Sequence, residues 1–177
     1  MSSSTEPREG ASQSCGFGHC LDLLRDLPLL SGVPLDVIKV LAYLSEAETF
    51  APGESLYDQG EPLERCRIVL RGAVEIVRRD GEAERPLCRR GEGFTVGSLG
   101  LLATAKSLFG VRAVDTVQCL CLTREKFTKT AERFPGILPK ILANVVDHVF
   151  RWEEAYLRTH RAACDQQPGG EAGLSLY

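Results

Sequence analysis

A chain of 177 residues, 44% apolar and 25% charged, has the length and usage of one ordinary globular domain. At this size folding buries on the order of 70% of the unfolded chain's surface, enough for a core without staples. A formal net charge of −3 argues against a free-standing nucleic-acid-binding domain, which carries a basic excess. No run of 18 apolar residues occurs, and the Ser-, Glu- and Pro-bearing start lacks the apolar stretch of a secretory signal. No membrane contact is expected, and the expected compartment is the cytoplasm.

Residues 1–16 read as disordered by composition. Phe17, Cys20, Leu21 and Leu24 recur at helical spacing, so a short helix is expected over Phe17–Arg25, closed by Pro28. Pro34 sits where a helix can begin, and Val37, Ile38 and Leu41 predict a second helix over Leu35–Leu44.

From Glu46 to Leu122 the texture changes to short strand-like runs broken at Pro52-Gly53, Gly60, Gly72, Asp80-Gly81, Gly91, Gly97, Gly100 and Gly110. Residues 65–71 alternate, with Cys66, Ile68 and Leu70 expected inward and Arg65, Arg67 and Arg71 outward. Asp80-Gly81 predicts a hairpin turn, and residues 111–114 and 116–122 are expected to pair about Asp115. Six to eight such strands imply a sandwich or barrel. Beyond Leu122, Thr123 is a plausible N-cap with Glu125 in the first turn, and Pro135-Gly136 closes that helix. A long helix is expected over about 137–163, followed by a disordered tail over 165–177.

The seven cysteines (15, 20, 66, 88, 119, 121 and 164) are odd in number and form no Cys-x-x-Cys. Cys119 and Cys121 share a strand face and are poorly placed to bridge each other, so reduced cysteines packed as small hydrophobes are expected. Cys15, His19 and Cys20 supply three donors without a fourth, which does not fit a structural zinc site. No cofactor or metal is expected.

Four segments carry a resemblance. They are Pro28-Leu29-Leu30-Ser31-Gly32-Val33-Pro34, the run from Phe50 through Pro52-Gly53-Glu54 to Gln59-Gly60-Glu61, Ile68-Val69-Leu70-Arg71-Gly72-Ala73-Val74, and Gly91 to Leu102. Together, over about residues 27–157, they resemble the cyclic-nucleotide-binding domain family, the regulatory half of catabolite-activator-type proteins. The resemblance implies a mainly β fold, a double-stranded β-helix (jelly-roll) barrel with flanking helices and a long C-terminal helix, with the domain over 17–164. Gly53, Gly60 and Gly72 then fall at its tight corners and specify fold, not ligand.

The resemblance also implies a phosphate-binding cassette at Gly97, Ser98, Leu99 and Gly100, with Ser107, Leu108 and Phe109 completing the pocket. The family places a Glu after the cassette Gly, for the ribose 2′-hydroxyl, and an Arg further on, for the phosphate. Here those positions hold Ser98 and Ser107. A charge-assisted hydrogen bond contributes roughly 1.5–3 kcal/mol, so two losses weaken binding by about 100- to 10,000-fold. Phe109 is expected to fill the pocket, and Lys106 is the one candidate phosphate substitute, on a face that alternation turns outward. Binding of cAMP or cGMP is therefore expected to be weak or lost. The alternative is a sensor with a divergent pocket for a cyclic nucleotide or another ligand.

The long helix carries one apolar stripe of Leu138, Leu142, Val145, Val149, Trp152 and Tyr156 and a neighbouring one of Ile137, Ile141, Phe150 and Leu157. That is more than one small barrel covers. The resemblance implies a homodimer, or a partner protein, held through this helix along Leu138, Ile141, Leu142, Val145, Val149, Trp152 and Tyr156. The sequence as read shows no output domain after residue 164, so the module is expected to act through another chain. The arginines of residues 65–90 are read as a solvated face balanced by Glu75, Glu82 and Glu84, and His148 as an exposed or interface residue. No nucleophile–base or paired-carboxylate arrangement is legible, so no enzyme is expected.

Overall fold

Strand periodicity over the middle of the chain and helical periodicity at both ends give two sheets with a helical layer packed on one of them. The computed structural model describes residues 16–81 and 83–159. The expectations for 1–15 and 160–177, Cys15, His160 and Cys164 among them, lie outside the described residues.

Helices α1 (Phe17–Arg25) and α2 (Leu35–Leu44) precede eight strands: β1 (Glu46–Phe50), β2 (Ser55–Tyr57), β3 (Arg65–Arg71), β4 (Val74–Asp80), β5 (Ala83–Arg90), β6 (Thr95–Val96), β7 (Gly110–Ala113) and β8 (Val117–Thr123). Helices α3 (Arg124–Arg133) and α4 (Leu138–Thr159) follow. The strands form two antiparallel four-stranded sheets, ordered β1-β8-β3-β6 and β2-β7-β4-β5. This is the mainly β roll with flanking helices that the sequence pattern called for. Thr123 caps α3 by accepting from the Lys126 amide at 3.3 Å.

The first sheet separates two cores. On one face Cys66, Ile68 and Leu70 of β3, with Leu120 and Leu122 of β8, pack against α1, α2, α3 and the start of α4. Between the sheets, Val69, Val74, Val96, Val111, Val117 and Cys119 pack with Leu56 and Tyr57. Arg65 and Arg71, at the ends of β3, are exposed as expected, but the middle of the strand lies between two cores, which corrects the reading of Arg67: it does not point outward but lies between the sheets, its side chain 11% exposed. Strands β7 and β8 also differ from expectation. They belong to opposite sheets and face each other across the core instead of pairing, because the chain changes sheet at Asp115, whose carboxylate accepts from the Ala73 amide at 2.8 Å.

The hairpin at Asp80-Gly81 joins β4 and β5 as expected. Strand β5 is the outer edge of its sheet, with Pro86 opposite Val77 next to a register shift. Gly53, Gly60 and Gly72 take φ values of 87°, 85° and 92°.

Helix α4 is fastened by its first two turns. Asn144 donates to the carbonyls of Leu29 (3.0 Å) and Ser31 (2.8 Å), and Lys140 to that of Gly32 (2.9 Å). Ile137 and Ile141 drop into the helical core, so Ile141, 1% exposed, does not belong to the outer face on which the sequence put it. Val145 is partly buried against the same core. Leu138, Leu142, Val149, Trp152 and Tyr156 are exposed, with Trp152 and Tyr156 stacked at 5.5 Å, and Phe150 and Leu157 are exposed beside them.

The two faces of α4 predict opposite mutational outcomes. Ile141→Ala should lower unfolding free energy by about 2–5 kcal/mol in urea titrations, through lost burial and the cavity left behind. Leu142→Ala, at a side chain 64% exposed, should change it by less than about 0.5 kcal/mol at protein concentrations too low for association.

Candidate functional site

The cassette region runs from β6 to β7. Gly97 adopts φ 82° and opens a short 3-10 turn over Ser98–Leu101. A Cβ on Gly97 would overlap the Arg65 carbonyl oxygen and lie 3.0 Å from the Tyr57 hydroxyl. One on Gly100 would overlap the Leu63 carbonyl oxygen. Both positions need glycine because the backbone of β3 and its leading loop passes where a side chain would stand. That loop then runs antiparallel to the cassette's exit. The Leu63 amide donates to Ala105 (2.8 Å), the Ser107 amide to Glu61 (2.8 Å) and the Gly60 amide to Ser107 (2.7 Å).

The residues expected to line one pocket divide between two places. Ser98 and Leu99 turn toward α4 and line a groove of about 180 Å³ whose other walls include Leu27, Leu29, Val145 and His148. Ser107 is buried, and its hydroxyl donates to the Phe109 carbonyl at 2.6 Å. Phe109 packs onto the core between the sheets. Leu108 is 77% exposed, and Lys106 is exposed on the face opposite Ser107. The register that would turn the Lys106 ammonium inward is not the one adopted.

The interior holds a charged pair that sequence reasoning missed. Arg67 Nε donates to Glu48 Oε2 at 2.6 Å, and its terminal nitrogen to the Leu56 carbonyl at 2.7 Å. Its guanidinium carbon lies 4.5 Å from the Tyr57 ring centroid and 5.5 Å from that of Phe50. Arg65 donates to the other oxygen of Glu48 at 2.8 Å. Burial by itself raises the Glu48 pKa, but the hydrogen bond and charge of Arg67 outweigh it, and the carboxyl is held below its ordinary value. Burial pushes Tyr57 up to about 12, against the opposing Arg67 charge. Tyr57 in turn donates its hydroxyl to the Arg65 carbonyl. A signal was present in the sequence: Glu48 shares strand parity with Phe50, and Arg67 with Val69, both inward residues.

A second guanidinium meets the cassette from outside. Arg124, the first residue of α3, donates to the carbonyls of Gly100 (2.5 Å), Leu63 (2.6 Å) and Ala103 (3.2 Å). It meets carbonyls at the exit of the turn, not the amides that open it. Four arginines of β4, β5 and β7 are paired: Arg89 with Glu75 (3.0 Å), Arg79 and Arg112 with Glu84 (3.4 and 2.8 Å), and Arg78 with Asp80 (3.2 Å). Among the described residues no cysteine forms a disulfide, and burial pushes Cys66 and Cys119 up to about 12 and Cys121 up to about 11, which makes these thiols poor nucleophiles.

Two outcomes follow from this geometry. Gly97→Ala, which needs both a positive φ and backbone movement, should destabilise by at least about 1–3 kcal/mol in urea titrations. Glu48→Gln should destabilise at neutral pH by about 1–3 kcal/mol by leaving Arg67 short of its carboxylate. Because the Glu48 pKa is depressed in the fold, its contribution is complete above the ordinary glutamate range and is lost as pH falls through and below about 4.5. The stability gap between wild type and Glu48→Gln should therefore close on acidification.

Comparison with known proteins places this geometry. Residues 47–134 match the cyclic nucleotide-binding domain family. Potassium channel AKT1 of Oryza sativa subsp. indica is 29% identical over 132 residues, which are 75% of this chain and 14% of the channel. The chain thus spans about one seventh of that curated relative's length. The N-terminal domain of a transcriptional regulator from Streptomyces coelicolor A3(2) superposes with a TM-score of 0.68 at 23% identity, covering 77% of this chain and 96% of that one. The regulatory subunit of a cAMP-independent protein kinase A from Trypanosoma brucei does so with a TM-score of 0.58 at 26% identity, covering 74% of this chain and 47% of that one. The strand order, the glycine-opened turn between β6 and β7 and the family match identify residues 47–134 as a domain of the cyclic nucleotide-binding family.

Proposed function

We propose that this chain is a regulatory module that binds cAMP and cGMP weakly or not at all and acts through protein contacts. One observation carries the reading: the positions the family fills with an acid and a base are Ser98 and Ser107, and the Ser107 hydroxyl is already used by the Phe109 carbonyl. Phe109, Tyr57 and the Arg67–Glu48 pair occupy space between the sheets, which supports the same conclusion. The likeness to the regulatory subunit of a cAMP-independent protein kinase A from Trypanosoma brucei supports the same reading. The contact surface is the outer face of α4, Leu138, Leu142, Val149, Trp152 and Tyr156, taken by a second copy of the chain or by another protein.

A sensor for another small molecule is the second reading, favoured by the groove beside Ser98 and Leu99. A thermal-shift screen separates the two, since a ligand that binds the native state raises the melting point by mass action.

Isothermal titration with cAMP and with cGMP should give dissociation constants of roughly 1 mM or weaker, following from the two lost charge-assisted bonds. A micromolar value for either would overturn the reading. Light scattering should give a dimer for the wild type and a monomer for Leu142→Glu. A wild-type monomer at high concentration would leave α4 to a different protein.

A further inference from the structure

The geometry points to Arg124 as a built-in clamp that holds the cassette in one position without a ligand. This rests on the reading above that the module works without nucleotide.

The cassette turn has carbonyls facing outward at its exit, and an unpartnered carbonyl there would favour fraying. One side chain satisfies two of them, Gly100 and Ala103, and the same guanidinium reaches Leu63 across the gap to the loop before β3. Its own backbone amide donates to Glu64 at 2.8 Å, so Arg124 holds that loop by main chain and side chain together. A planar fork with five donors bridges three carbonyls from one anchor, which a lysine's single ammonium does not. Beneath the clamp, Gly100 lies against Leu63 with no room for a Cβ, and Leu63 to Ala105 and Ser107 to Glu61 continue the contact as backbone hydrogen bonds.

The cassette is therefore tied to its neighbours from Gly100 to Ser107 by groups of this chain. The anchor is the first residue of α3, whose C-terminal end leads through Pro135–Ile137 into α4. One residue thus links the exit of the cassette to the start of the helical layer that follows it. No phosphate is needed to bring them together, so a nucleotide has little left to change.

Hydrogen exchange on the full chain tests this. In Arg124→Lys and Arg124→Ala, amides of residues 98–107 should exchange at least about tenfold faster than in wild type, as expected for the loss of charge-assisted bonds. Amides of β4 at residues 74–77 should exchange as before. Wild-type rates over 98–107 should not respond to about 0.1 mM cAMP, tenfold below the tightest dissociation constant that the lost anchors allow. Unchanged cassette exchange in both variants, or a uniform acceleration that includes β4, overturns the clamp and leaves the proposed function standing. Protection of 98–107 by cAMP in wild type overturns the ligand-independence on which the clamp's role depends. Tight nucleotide binding that leaves exchange over 98–107 and the Arg124 effect unchanged would instead sink the proposed function alone.

Discussion

A guanidinium between two β-sheets constrains everything around it. A buried charge is costly unless it is paired and its remaining donors are satisfied. Arg67 meets that condition with the Glu48 carboxylate, the Leu56 carbonyl and the faces of Tyr57 and Phe50. Each partner comes from β1 or β2, so the pair sets how the first two strands sit against β3. Tyr57 then carries the constraint to the cassette: its hydroxyl holds the Arg65 carbonyl, and both crowd Gly97. The cassette's geometry is thus an outcome of packing inside the roll. In such an interior a polar network in which every member is satisfied specifies one arrangement, because moving any member strands another.

The chain's fold was legible at the level of periods and punctuation. Helix α1 ends where Pro28 demanded, Asp80-Gly81 makes its hairpin, and the corner glycines take the backbone conformations their positions suggested. Alternation along β3 was also visible, but it reports parity, not environment. When both faces of a strand are buried, a charged residue marks one core's partner as readily as solvent, and Arg67 was misplaced for that reason. The proximity of residues 111–114 and 116–122 suggested a hairpin. Whether two neighbouring strands pair or face each other depends on a corner angle that short-range residue types leave undetermined.

The same limit applied to the candidate site. The cassette positions could be located by counting from glycines, yet Ser98 and Ser107 open onto different spaces, a groove by α4 and the roll interior. Arg124 carried no sequence signal beyond being the first residue after an N-cap. Its role is fixed by a contact 61 residues away in the chain, at Leu63. For α4, a surplus of apolar residues was readable, and the assignment of faces was not. The Pro135–Ile137 turn and the pins from Lys140 and Asn144 decide it by rotating Ile137 and Ile141 toward the sheet.

Strand β5 gives the fold a further property. The rim of its sheet is interrupted by a proline that lacks a donor, a register slip beside it and a row of guanidinium groups. Such a border is a poor template for another chain's backbone, so this sheet resists being lengthened across β5 by an incoming strand.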